Sequence, residues 1–267
     1  MKKCLMFEIR RAFRSKVFWT ALAINLFICL VGKIFFVKGI HKTVRYVTAY
    51  KAWIGFEFTL PYSRILVTVF PLLASIPFAG SYFQDVNSGY MKNICLKCSR
   101  KQYYITKHIA VFLSAMAAIT IPMLIDLYIS MGMYPLREPE NLEAIVPAVG
   151  ETAVFSSLYA KKVLWYCIAY SFFSGMFLGL FSTLCVMISE IVESAFAAIC
   201  LPFLCYLFSG VFFSGMIDNG FHWALIGIID PINSVQATWF NVVPYLLLLL
   251  VLTIVWTWYK IKKKDVL

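Results

Sequence analysis

Asp126 is a lone carboxylate within a long apolar run, Ile109 to Met133. Placing an ionised carboxylate at the centre of a membrane span costs ~2.5–3.5 kcal/mol on insertion scales, so such a group usually marks a pathway or has a partner. Asp126 lies toward one end of its run, which leaves two readings open: a transport pathway, or a side chain that reaches the interface. Glu190 and Glu193 have the types for an acid pair or a metal site, but their place at a tight turn between two apolar runs reads as a solvated connection. His41, His108 and His222 fall in separate loops or run ends, with no H-E-x-x-H. Cys95 and Cys98 make one C-x-x-C, half of a zinc site without a second pair, and read as reduced thiols. Ser209 and Ser214, each between phenylalanine and glycine, are helix-packing positions, since a serine nucleophile needs a base beside it. No G-x-x-x-x-G-K-[ST] occurs, so the chain carries no phosphate-cradling loop of that type. These residues point away from an enzyme and from a bound metal or cofactor.

The elements that would position them are set by composition. Of 267 residues, 61% are hydrophobic and 14% charged, against about 25% charged in soluble domains. The net charge of +11 would suggest nucleic acid in a soluble protein; in a chain this apolar it reports membrane topology, and no nucleic-acid partner is expected. Six runs have about the length that crosses a ~30 Å hydrocarbon core at 1.5 Å per residue: residues 17–37, 65–83, 109–133, 164–188, 195–215 and 242–259. Pro71 and Pro77 predict kinks in the second, and Ser194 is placed to cap the fifth. The expectation is an all-α integral membrane protein with one six-span domain over 1–267.

Basic residues orient it. Lys2, Lys3, Arg10, Arg11, Arg14 and Lys16 precede the first run. Lys92, Lys97, Arg100, Lys101 and Lys107 lie between the second and third, and Lys260, Lys262, Lys263 and Lys264 follow the sixth. Both termini are therefore expected in the cytoplasm, in a cell membrane, most simply a bacterial plasma membrane. Lys33, Lys38, Lys42, Arg45, Lys51 and Arg64 oppose this rule. With Trp53, Ile54, Phe56 and Phe58 among them, they read as a segment lying in the headgroup region, or as a contact for an anionic substrate. An acidic outer loop, Met133 to Val163, carries Glu138, Glu140, Glu143 and Glu151 and is expected to form a small cap. The short apolar piece Trp223 to Ile229 predicts a re-entrant or interfacial helix pair before the last span. At the amino terminus Leu5, Met6, Ile9, Ala12 and Phe13 share one helical face, with Lys3, Glu8, Arg10, Arg11 and Arg14 opposite. This predicts an elbow helix over residues 1–16, apolar face toward lipid and charged face toward headgroups.

The loop at 84–107 is the most specific feature. It runs from Tyr82-Phe83-Gln84-Asp85 through Ser88-Gly89 and Lys92-Asn93-Ile94 to Cys98-Ser99-Arg100-Lys101, with Lys107 entering the third run. This resembles the permease subunits of type-2 ATP-binding-cassette exporters, in which an acidic segment, a glycine, a short apolar helix, a Ser-Arg pair and a lysine join the second and third spans. The elbow sequence Phe7-Glu8-Ile9-Arg10-Arg11 with Arg14-Ser15-Lys16, the six runs and the interrupted segment before the last run extend the resemblance over nearly the whole chain. Asp85 stands where glutamate is common, and Cys95 to Cys98 replaces more ordinary residues.

The resemblance implies that a helix from about Ser88 to Leu96 docks on a cytosolic ATP-binding subunit and passes its motion to the second and third spans. Asp85, Ser88, Gly89, Lys92, Ser99, Arg100, Lys101 and Lys107 would form this coupling loop, and Glu8, Arg10, Arg11 and Arg14 the charged part of the elbow. ATP and Mg would be bound by the partner ATPase. Lipids and a second permease subunit, identical or not, complete the partners. A pathway between the two permeases would involve Pro71, Pro77, Asp126 and Pro202 and suit a hydrophobic or amphipathic cargo. An intramembrane enzyme or a secondary transporter without an ATPase are the other classes to weigh.

Overall fold

The computed structural model describes residues 2–40, 48–53, 61–136, 152–192, 194–216, 223–230 and 237–262. Among them the fold is all-helical, with one isolated bridge pairing Ala153 and Thr238. The order is α1 (Lys2–Arg14), α2 (Lys16–Ile40), α3 (Ala49–Ala52), α4 (Pro61–Ser75), α5 (Ser81–Asn87), α6 (Tyr90–Cys95), α7 (Arg100–Met133), α8 (Ser156–Lys161), α9 (Val163–Ser189), α10 (Ala195–Met216), α11 (Leu225–Ile229) and α12 (Trp239–Lys262). Five helices, α2, α7, α9, α10 and α12, contain segments long and apolar enough to cross a membrane.

The second expected run is the exception. It is not one helix over 65–83: α4 ends at Ser75, residues 76–80 form turns, and the chain resumes as α5. Pro77 is the physical reason, because it has no N–H to continue the ladder and its ring crowds the preceding turn. Pro71 sits within α4, where the Ser75 hydroxyl donates to the carbonyl of Pro71 at 2.7 Å. The third run also differs, since its helix begins at Arg100 rather than near Ile109 and reaches 34 residues. That is about 50 Å of helix, roughly 20 Å more than the hydrocarbon thickness, so its first turns belong outside the apolar slab. The Ser99 hydroxyl starts it, accepting the Gln102 N–H at 3.3 Å. Ser194 caps α10 in the same way, accepting from the Ala197 N–H at 3.4 Å.

α7 and α9 form the central pair, with α2, α4, α10 and α12 around them. Gly175 and Gly179, one turn apart, allow the close approach. A Cβ on Gly175 would stand 3.0 Å from the carbonyl oxygen of Met116 and collide with the side chain of Thr120. One on Gly179 would stand 3.0 Å from the carbonyl oxygen of Phe112. Small residues let apolar helices approach closely enough for dispersion contacts to hold them in lipid. Buried hydroxyls in these helices are satisfied locally: Ser171 donates to the Cys167 carbonyl at 2.8 Å, and Ser182 to that of Gly179 at 2.8 Å.

At the far ends of α2 and α7, Trp53 is fully buried and donates its indole N–H to the Met123 carbonyl at 3.2 Å. Its ring is thus covered by the protein itself rather than exposed for the headgroup contact expected of this segment. Residues 41–47 and 54–60, with Lys42, Arg45, Ile54, Phe56 and Phe58, fall outside the described residues, as do Glu138, Glu140, Glu143, Glu151, His41 and His222. Of the helix pair expected before the last span, α11 is described and packs on α10 and α4.

Candidate functional site

Four of the charged residues singled out at the amino terminus and in the 84–107 loop, Glu8, Arg11, Asp85 and Lys107, converge on one buried cluster. α1, α5 and the start of α7 meet there. Asp85, on α5, is fully buried. Its Oδ2 accepts from Lys107 Nζ at 2.6 Å and from the Tyr103 hydroxyl at 2.7 Å, while its Oδ1 accepts from Arg11 Nη2 at 2.5 Å. Glu8, also fully buried, lies 3.6 Å from Lys107 through Oε2 and 3.8 Å from Arg11 through Oε1. The Tyr90 hydroxyl donates to Glu8 Oε1 at 3.1 Å. Two carboxylates thus face two cations, and two phenols supply further donors. Arg11 also lies over the Tyr90 ring at 4.3 Å, and Lys107 over the Phe78 ring at 4.5 Å.

Burial alone would pull the Arg11 guanidinium down, but the hydrogen bond and charge of Asp85 outweigh it and hold Arg11 above its ordinary value. Burial, reinforced by Glu8, pushes the Tyr90 phenol up, so it stays a donor. The arrangement is an ionic joint between α1, α5 and the start of α7.

The joint corrects the expected disposition of α1. Glu8 does not face headgroups beside Arg10 and Arg14. It points inward with Cys4 and Ala12, while Met6 and Phe7 are exposed. The buried ammonium of Lys107 attracts the carboxylate inward, an attraction that apolar periodicity does not register. Arg10 and Arg14 are exposed, and Arg11 is half-buried.

The loop itself follows. Ser88 is exposed and donates to the Gln84 carbonyl at 2.7 Å. Gly89 takes φ +69°, the left-handed region open to glycine at little cost. This reversal starts α6, whose Met91 and Ile94 pack inward while Lys92 and Asn93 point out; in the turn just past its end Leu96, 86% exposed, and Lys97 also point out. Lys101 is exposed, and the Arg100 guanidinium lies 5.7 Å from the Tyr104 ring centre. The ionic joint therefore sits behind α6 and the turn that follows it, whose outer side presents Lys92, Asn93, Leu96 and Lys97.

Two more charged sites lie elsewhere. Lys33 and Asp126 are both buried and pair at 3.1 Å between α2 and α7, with Lys33 also donating to the Ala52 carbonyl and the Ser130 hydroxyl. Lys33 is thus no snorkelling loop residue but a buried residue of α2, and Asp126 is paired with it inside the protein. Glu190 is not a solvated connection either. Its Oε2 accepts from the Trp256 indole at 2.7 Å and lies 3.7 Å from Lys260, and burial pushes its carboxyl up to about 7. Glu193 lies outside the described residues. His108 is buried in α7, its Nδ1 3.0 Å from the Tyr104 carbonyl. Pro71, Pro77 and Pro202 are all buried within the packing of this chain.

Tyr90 and Tyr103 were not singled out by sequence. The four-residue step from Tyr103 to Lys107 stacks both on one face of α7 and was the available signal. Gly175-x-x-x-Gly179 was the signal for the central pair.

Comparison with known proteins adds no relative: no protein-family model, no curated protein and no solved structure matches this chain.

Proposed function

We propose that this chain is the permease subunit of a type-2 ATP-binding-cassette exporter, driven by a separate cytosolic ATPase and paired with a second permease. The observation that carries the reading is the joint of Glu8, Arg11, Asp85 and Lys107, which ties α1, α5 and the base of α7 together behind α6. A load applied to the outer face of α6 would act on α7 through a braced base rather than through a slack loop. In this reading α1 is the elbow, α4 with α5 is a broken second span that brings the count to six, and both termini face the cytoplasm of a cell membrane. Lys92, Leu96 and Lys97 face the ATPase. The cargo is hydrophobic or amphipathic, in keeping with the apolar helices.

A secondary transporter is supported less well. Asp126, the intramembrane acid such a mechanism would use, already holds Lys33 as its counter-cation.

The test is co-purification in mild detergent followed by transport in vesicles. The full chain should bring down an ATPase, and charge reversal at Lys92 and Lys97 should weaken that association while membrane insertion is unchanged. Failure of any ATPase to associate with the wild-type chain would remove the assignment.

A further inference from the structure

Glu190 closes the C-terminal end of α9, and its side chain is wholly buried. One carboxylate oxygen, Oε2, accepts from the Trp256 indole at 2.7 Å and lies 3.7 Å from Lys260, both on α12. The other, Oε1, is buried and accepts no hydrogen bond among the described residues. A buried carboxylate oxygen without a donor is costly and calls for an explanation. Glu190 also lines a cleft of about 490 Å³ where α5 meets the end of α9, together with Tyr82, Phe83, Val86, Asn87 and Ser189. That volume suits a small organic molecule.

The lining selects its ligand by charge. The Ser189 hydroxyl donates to the Val186 carbonyl at 2.7 Å, so its oxygen is left to accept. The last turn of α9 carries the negative end of the helix dipole. Tyr82 and Phe83 supply aromatic surface, which attracts both a cation and the hydrocarbon attached to it. The nearby cations of the chain are engaged elsewhere. Lys260 lies on the Oε2 side and 5.5 Å from the Trp256 ring centre, and Arg100 lies 5.7 Å from the Tyr104 ring centre.

We propose that this cleft binds a protonated organic amine, its ammonium opposite Glu190 and its apolar part against Tyr82, Phe83 and Val86. A cation there compensates the buried carboxylate even without touching Oε1, because attraction over a few ångströms through protein is several-fold stronger than in water. Burial lifts the Glu190 carboxyl to about 7, so a proton competes with the amine for the same charge. The other titratable or charged groups that act on it are Tyr82 on α5, Arg100 on α7 and Lys260 on α12. The site concerns binding to this chain alone and does not rest on the transport reading.

The experiment is equilibrium binding of phenethylamine to the purified full chain in a non-ionic detergent, measured by calorimetry against empty micelles. Phenethyl alcohol and hydrocinnamate serve as its neutral and anionic counterparts. The amine should bind best and lose affinity as pH falls below about 7, where Glu190 takes up a proton. The amine itself stays charged through that range, as a lysine ammonium does. Glu190→Gln keeps the side-chain shape and removes the charge; it should weaken binding about tenfold or more and abolish the pH dependence. Lys260→Met removes the competing cation and should strengthen binding, a gain that damage to the fold would not produce. The proposal is overturned if the amine binds no better than the alcohol, or if Glu190→Gln leaves its affinity unchanged. It is equally overturned if hydrocinnamate binds best, which would make the cleft an anion site of Lys260 and Arg100.

Discussion

Lys107 and Asp85 meet at 2.6 Å with both side chains fully buried, joining the base of α7 to the segment that follows the broken helix. Removing one member of a buried pair costs more than the pair itself is worth, because the remaining charge keeps its desolvation penalty and loses its compensation. Asp85→Asn is therefore expected to destabilise the chain by about 3–5 kcal/mol. Asp85→Asn with Lys107→Met should recover part of that loss, a non-additivity measurable by denaturation in mixed micelles.

The same logic applies at the other end of the bundle. Lys33→Met or Asp126→Asn alone leaves one buried charge without its ion-pair partner and should lower stability by about 3–5 kcal/mol. Lys33→Met combined with Asp126→Asn should lie nearer wild type than the sum of the two single losses. Double-mutant thermal unfolding checks this, and additive losses would rule out the pairing.

Glu190 makes a pH prediction with a definite sign. Its carboxyl is raised from the ordinary 4.5 to about 7 in the folded chain. Between those values the folded state binds more protons than the unfolded one, so stability contributed here is present below about pH 4.5 and is lost as pH rises toward 7. Glu190→Gln should flatten that slope and raise the unfolding midpoint at pH 8, with a rough ceiling of ~3 kcal/mol. A midpoint at pH 8 that falls in the variant would contradict the assignment.

Gly175→Ala should force α7 and α9 apart, because the new methyl meets the Met116 carbonyl and Thr120. Overpacking of this kind costs about 1–3 kcal/mol. Gly132→Ala, where a Cβ would meet nothing within 4 Å, is the control and should be neutral or better. Comparing the two midpoints separates crowding from any general effect of losing a glycine.

Gly89→Ala tests the turn before α6. A Cβ there has open space, so only the left-handed backbone is penalised, by about 1–2 kcal/mol. Gly89→Asn should cost less, since asparagine tolerates that region. Limited proteolysis between α5 and α6 reports the loosening.

Sequence made the long helices readable because apolar runs of bilayer length leave few alternatives, and α2, α9, α10 and α12 fall within a few residues of expectation. It did not reveal where the second run breaks, because two prolines, Pro71 and Pro77, carry the same kink signal and only the second ends its helix. The charged residues were visible, but their pairing was not. Glu8 and Asp85 lie far apart in the chain, and a helical wheel ranks Glu8 by the polarity of its own face rather than by the cations it will meet. Read alone, Lys33 looks like an interfacial group and Asp126 like either a pathway residue or an interfacial one; their pairing becomes visible only once α2 lies against α7.

The joint at the base of α7 has zero formal charge: Glu8 and Asp85 against Arg11 and Lys107. Loss or reversal of charge at any one of the four breaks that neutrality where both carboxylates and Lys107 are fully buried. In the descent of this chain the four positions are therefore expected to behave as one inherited character. Lineages that depart from it should change sign or drop charge at two positions together, leaving a covariation signature between residues dozens apart in sequence.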